Sequence, residues 1–334
     1  MTHHLFFFFA PWQFSMFPLA QLASWLQHFG WTLVDLFFVL SGYVFAHVYL
    51  RNGDLDSGHG ISSFWVSRLA RLWPLHLTML ILIALVDRTS RANTYYAFIA
   101  HVAMLQAFVS PVAGTYDWSS WSLSVEMLCY VIFSASAARG RKVLLCVTAV
   151  MILVSLVGLM LISQPGGPYA GGVFRRGLLG FFLGQAMWHC RGSLSRIPSV
   201  VLVTACATGL CFETGPYSPV LPLTLVTWPA LLLLALRLPV MESPALVWLG
   251  DHSYAIYLIN LPLVQAVVSL THGHELSTSW IVAIQAAIVM TALVGAKLSF
   301  QWIEAPARRA IRQLWARQHR TTEATSGEWR EGYT

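Results

Sequence analysis

Charge is what this sequence has least of. Only 10% of its 334 residues are Asp, Glu, Lys or Arg, and 57% are hydrophobic. Soluble domains carry about 25% charged residues, so the chain as a whole is not one of them. A mean hydropathy of +0.63 makes it an integral membrane protein. Other absences narrow the reading. Five cysteines (Cys129, Cys146, Cys190, Cys206, Cys211) stand singly in apolar stretches, and none forms a CxxC pair. They read as buried, reduced thiols rather than a redox or zinc motif. The opening MTHHLFFFF has no basic flank and no small-residue cleavage site, so no signal peptide is expected. There is no obvious internal repeat, and no polar stretch is long enough to fold alone. The net charge is +6, but the basic residues form no stripe and accompany no nucleic-acid motif. They read as cytoplasmic-loop arginines, and no nucleic-acid partner is expected.

What is present is a series of apolar runs near the length of about 20 residues that a spanning helix needs. They cover 31–50, 65–86, 95–109, 122–138, 142–163, 173–189, 199–214, 218–236, 245–270 and 279–304, after a stub at 4–14. The expectation is an all-α bundle of about ten transmembrane helices, spanning residues 1–307, followed by a polar, basic tail at 308–334 that frays into disorder. Arginines in that tail, in RGRK at 139–142 and around Arg191 and Arg196 mark the cytoplasmic side. The loops at 163–172 and 271–278 carry no Lys or Arg and fall outside. This bias is best met if 95–109, with His101 and Gln106, dips in or lies flat, which puts Arg51, Arg68 and Arg71 inside.

Polar residues inside lipid are expensive and therefore informative. In LVDLFFVLSGYVFAHVY, Asp35 is either a helix cap or part of a reacting site. Ser41-Gly42 fits close helix packing better than a nucleophile, because there is no GxSxG elbow. In SRLARLWPLH, Arg68 and Arg71 share a helix face before Pro74. Two planar forks suit phosphate, although spacing alone favours simple anchoring at the membrane surface. In DWSSWSLSVEMLCY, Glu126 lies inside an apolar helix, which demands burial with a partner and points to a function. Two weaker stretches are LGDHSYAIYLINLPL, with Tyr254 and Tyr257 a turn apart, and FQWIEAPARRAIR, where Glu304 reads as a surface ion pair with Arg308. His272, His274 and Glu275 form a THGHE loop, too weak a pattern for a metal site, and no metal is expected.

Taken in order, VDLFFVLSGYV, RLARLWP, WSLSVE, SYAIYL and WIEAPAR resemble the acyltransferase-3 family of bacterial membrane O-acyltransferases. The resemblance runs from about residue 31 to 312. It implies acyl transfer, typically acetyl from cytoplasmic acyl-CoA, to a hydroxyl of a carbohydrate or glycolipid, in the bacterial inner membrane. Acyl-CoA is then a co-substrate, and no bound cofactor is implied. The family carries an arginine in its first helix and, eleven residues on, a histidine thought to be catalytic. His3 and His4 match that histidine, while the arginine has no counterpart, so the chain is expected to begin part-way through the first helix. A histidine common after SYAIYL is replaced by Asn260, and no catalytic role is carried to it. The expected site is therefore His3 or His4 as base and Glu126 or Asp35 orienting the imidazole. Arg68 and Arg71 would sit on the CoA phosphates, with Ser122 or Tyr254 donating to the oxyanion or sugar. The competing readings are a transporter or flippase of a glycan or lipid, and an inactive truncated homologue. The absence of inverted repeats weighs against the first.

Overall fold

The computed structural model describes residues 19–51, 55, 58–87, 90–161, 172–210, 220–271 and 277–331. His3, His4 and the THGHE loop lie outside them. Among the described residues there is no strand. The chain runs α1 (Leu19–Phe29), α2 (Leu33–Tyr49), α3 (Gly58–Val86), α4 (Tyr95–Val102), α5 (Trp121–Ala137), α6 (Arg141–Met160), α7 (Val173–His189), α8 (Ser199–Leu210), α9 (Trp228–Ala235), α10 (Pro244–Thr271), α11 (Thr278–Ser299) and α12 (Ala305–Glu331), with short helical turns between them. Six helical stretches are long and apolar enough to cross a membrane: Ser24–Tyr49, Gly60–Val86, Trp118–Ala137, Arg141–Met160, Pro244–Thr271 and Ser279–Gln318. The protein is a multi-pass membrane protein. Its outer surface agrees, because large apolar side chains such as Leu82, Leu153, Val154 and Leu161 are left uncovered, as a lipid-facing belt requires.

Segment 95–109 does not form one spanning helix. α4 has only eight residues, Met104 takes a positive φ of 55°, and a 3₁₀ turn (Gln106–Phe108) and a short helix (Ser110–Ala113) follow. α3 and α5 therefore enter and leave on the same side. Arg51, Arg139, Arg141, Lys142, Arg191, Arg196 and Arg237 all gather at the other end of the bundle, which the positive-inside bias assigns to the cytoplasm.

The tightest helix pair is α2 with α7, running parallel. A stripe of glycines on α7 lets the backbones touch. A Cβ on Gly184 would stand 1.9 Å from the Val39 carbonyl oxygen, and one on Gly42 of α2 would stand 1.8 Å from that of Phe181. Gly42 is thus a close-packing position, as its place beside Ser41 suggests. The obstructing atoms are backbone, so no rotamer change relieves them. Gly42→Ala is expected to cost about 1–3 kcal/mol of stability, read as a lowered unfolding midpoint of the purified protein. An unchanged midpoint would mean the helices can part without penalty.

Two features differ from the sequence reading. Among the four described cysteines, Cys146 and Cys190 are exposed on the bundle surface, and Cys129 and Cys206 are buried; a thiol is apolar enough to face lipid as readily as the core. Glu304 is not a surface residue. It sits in a π-helical turn (Phe300–Glu304) with its side chain fully buried, 2.8 Å from the Arg308 guanidinium. The extra residue in the turn rotates the carboxylate inward, and π turns recur at functional sites.

Candidate active site

Two buried polar centres interrupt the apolar bundle. The inner one is built on Glu126, near the middle of α5 and 4% exposed. Tyr130, one helical turn on, donates a short hydrogen bond to its Oε1. Ser41 of α2 also bonds to this carboxylate, and Arg68 and Arg71 of α3 lie close enough to attract it. Four polar side chains from three helices thus converge where apolar sequence predominates. Arg68 lies over the rings of Phe45 and Tyr49, 4.9 and 5.6 Å from their centroids, which desolvates its guanidinium without giving it a carboxylate of its own. Its Nε has no hydrogen-bond partner among the described residues. Arg71 faces Glu126 on one side and the Glu304–Arg308 pair on the other. Three guanidiniums therefore share two carboxylates, leaving a positive surplus suited to an anion or to developing negative charge.

The outer centre is an ion pair that sequence reasoning missed. Arg176 of α7 donates through Nε to Asp35 Oδ1 at 3.0 Å and through its NH2 nitrogen to Oδ2 at 3.1 Å. Both residues are buried, and the guanidinium lies over Trp31, 4.4 Å from the ring centroid, and beside Trp121 at 5.7 Å. Asp35 is engaged by this arginine rather than gathered with Glu126. The signal was available in VFRRGLLGFFLG: an arginine four residues inside a segment otherwise fit for lipid needs a counter-charge.

The two hydroxyls expected at the site tie helices together. Tyr254 of α10 donates to the Leu72 carbonyl of α3 at 2.5 Å. Tyr257 donates to the Ser119 carbonyl at 2.5 Å, so the Ser122 hydroxyl, 2.8 Å away, serves as its donor. α10 is thereby fastened to α3 and to the start of α5, on either side of Glu126.

The segment between α3 and α5 closes the outer end through polar contacts. His76 Nε2 donates to the His101 carbonyl at 2.8 Å, His101 Nε2 donates to Thr115 Oγ1 at 3.0 Å, and Gln106 Nε2 donates to the Ser120 carbonyl at 2.6 Å. Burial lowers the His101 pKa to about 4, helped by the neighbouring His76, and raises Asp117 to about 7 against the hydrogen bonds from Ser119. These groups are spent on holding the plug. Among the described residues, no group of His, Cys, Asp and Glu side chains could hold a metal ion.

A family model described as an acyltransferase domain matches residues 1–297. The chain belongs to the acyltransferase-3 family. Similar proteins include the "Putative peptidoglycan O-acetyltransferase YrhL" of Bacillus subtilis, 28% identical over 87% of this chain and 53% of that protein. The peptidoglycan O-acetyltransferase OatA of Listeria monocytogenes is 24% identical over 86% of this chain and 52% of its own length. The chain thus spans about half the length of these two relatives. The acyltransferase MdmB of Streptomyces mycarofaciens is 27% identical over 90% of this chain and 87% of its own. No solved structure matches. In this acyltransferase-3 chain, Arg68, Arg71, Glu126 and Glu304 come from three of the matching motifs, and the fold brings all four to one place.

Proposed function

We propose that this protein is a membrane-bound O-acyltransferase that moves an acyl group, acetyl as the first candidate, from acyl-CoA to a hydroxyl of a carbohydrate or glycolipid. Its bundle would hold about ten transmembrane helices and lie in the inner membrane of a bacterium. The carrying observation is the Glu126 centre: a buried carboxylate with Tyr130, Ser41, Arg68 and Arg71 around it, in an otherwise apolar bundle. Family membership supports the reaction class, and the printed names of the relatives, two of them peptidoglycan O-acetyltransferases, support a carbohydrate acceptor. That centre has what thioester-to-alcohol transfer requires, namely fixed charge at a water-poor site and cations in surplus for the tetrahedral oxyanion.

In this mechanism His3 or His4 takes the proton of the acceptor hydroxyl as its oxygen attacks the thioester carbonyl. Glu126 orients the imidazole and offsets its charge; Asp35 is the alternative. Arg68 and Arg71 hold the CoA phosphates at the cytoplasmic mouth. Ser122 or Tyr254, released from its helix contact to Tyr257 or the Leu72 carbonyl, would turn a hydroxyl toward the oxyanion or sugar. The C–S bond then breaks, and the thiolate leaves with the proton held by the histidine. The test is transfer of labelled acetyl from acetyl-CoA to a glycan acceptor in membranes, with CoA thiol release measured in parallel. The double change His3→Ala/His4→Ala is expected to lower both by about 10²–10⁴-fold at unchanged protein level. Undiminished transfer would remove the histidines from the mechanism.

A further inference from the structure

At the cytoplasmic end of the bundle a cavity of about 330 Å³ opens between α2, α6 and α7. It lies outside the Glu126 centre, yet it shares one wall with it: Tyr49, which lines the cavity, is one of the two rings that Arg68 lies over. The remaining polar lining is cationic or titratable, namely Arg141 at the start of α6, His189 at the end of α7, and Arg191 just beyond; among the described residues no carboxylate lines it. Arg141 and Arg191 both lie near enough to His189 to act on it electrostatically, so the three side chains converge. Their hydrogen-bonding capacity is largely unused. His189 Nε2 is buried without a partner among the described residues. Among the described residues Arg191 bonds to the Trp188 carbonyl alone, at 2.9 Å, and packs over the Trp188 ring at 4.2 Å. Trp188 and Tyr49 add flat aromatic surface. Simple positive-inside anchoring would leave such arginines spread over the exposed loops; here they border a partly open cavity in the size range of small-ligand pockets.

We infer that this cavity binds the phosphate-bearing nucleotide end of the acyl donor, with Arg141, His189 and Arg191 on a phosphate monoester and the Tyr49 and Trp188 rings beside the base. This rests on the acyl-CoA reading above and extends it. The donor would then lie along α2, its nucleotide in the cavity, its diphosphate passing Tyr49 toward Arg68, and its thioester directed to Glu126. The same cationic chemistry would also accept the phosphate of an anionic lipid headgroup, so the experiment separates the two.

The full-length protein in phosphatidylcholine nanodiscs is used throughout. Arg141→Gln/Arg191→Gln is expected to raise the KM for acetyl-CoA about tenfold or more, the loss of charge-assisted hydrogen bonds to one phosphate. The KM for acetyl-pantetheine, which has no nucleotide, should not move. Adenosine 3′,5′-bisphosphate should bind the wild type and compete with acetyl-CoA, and should do neither in the double variant. Arg141→Lys/Arg191→Lys, which keeps the charge, should recover part of the binding and guards against misfolding as the cause. Bisphosphate binding that survives in the Gln variant overturns the inference. So does phosphatidylglycerol, added to the nanodiscs, being retained by the wild type and lost by the variant while nucleotide binding is unchanged. If the wild type transfers nothing from acetyl-CoA, the donor reading fails, and the bisphosphate binding comparison still decides the cavity.

Discussion

Glu126→Gln is expected to reduce acyl transfer about 100-fold or more, the scale of losing a group that supports proton transfer, while the protein still inserts and purifies. The substitution keeps shape and hydrogen-bonding capacity but removes one charge. Tyr130 and Ser41 can still bond to the amide oxygen. What changes is the electrostatic balance: Arg68, Arg71 and Arg308 would face Glu304 alone. An imidazolium formed during the reaction would then meet net repulsion where it now meets a carboxylate. Glu126→Asp retains the charge but draws it back by one methylene, and should fall between the two. The measurement is the rate of CoA release in membranes normalised to protein level. A Gln variant within twofold of wild type would reduce Glu126 to a structural residue.

Asp35→Ala should destabilise the protein by about 3–5 kcal/mol, because it strands a buried guanidinium. Arg176 is 2% exposed and makes a two-pronged contact with Asp35. Alanine takes away the carboxylate that meets this guanidinium, while the faces of Trp31 and Trp121 stay beside it. The double change Asp35→Ala/Arg176→Leu removes both charges and should recover much of the loss, since an apolar replacement of a buried pair is often neutral. Unfolding midpoints of the three proteins in one detergent give the answer. If the single change left stability intact and only slowed transfer, Asp35 would belong to the chemistry instead, which is the alternative its position in the sequence left open.

Local pattern and long-range pairing were unequally readable. The helix at 173–189 matches α7 residue for residue, and 122–138 and 142–163 differ from α5 and α6 by no more than three residues at either end, because hydropathy alone fixes where apolar chain must be buried or lipid-facing. The inside-outside bias of arginine favoured a dip or a flat lie for 95–109 over a span, and the broken helix there agrees. Glu126 was legible for a similar reason, since a lone carboxylate in an apolar run has few places to go. Partner choice was not. Nothing in the spacing of Asp35 says that its counter-charge lies 141 residues away on α7. Glu304 was misread because helical spacing from Arg308 describes an exposed pair and a buried one equally well; a single extra residue in the turn decides which it is. The cationic cavity was equally hidden, for its arginines come from separate loops that each look like ordinary membrane anchors.

The glycine stripe between α2 and α7 also bears on motion. Where two backbones meet carbonyl to Cα, as at Gly42 and Gly184, sliding by a fraction of a turn drives bulky side chains such as Phe38 and Phe181 into the facing chain. The pair therefore behaves as one strut, with Asp35–Arg176 pinned near one end and the basic cavity built into the other. Any opening that admits an acceptor must then be made by the remaining helices swinging against this fixed wall. α10, a continuous helix with Pro262 in its interior and held to α3 and the start of α5 by two tyrosine hydroxyls, has a weakened turn and the latches to be the moving part.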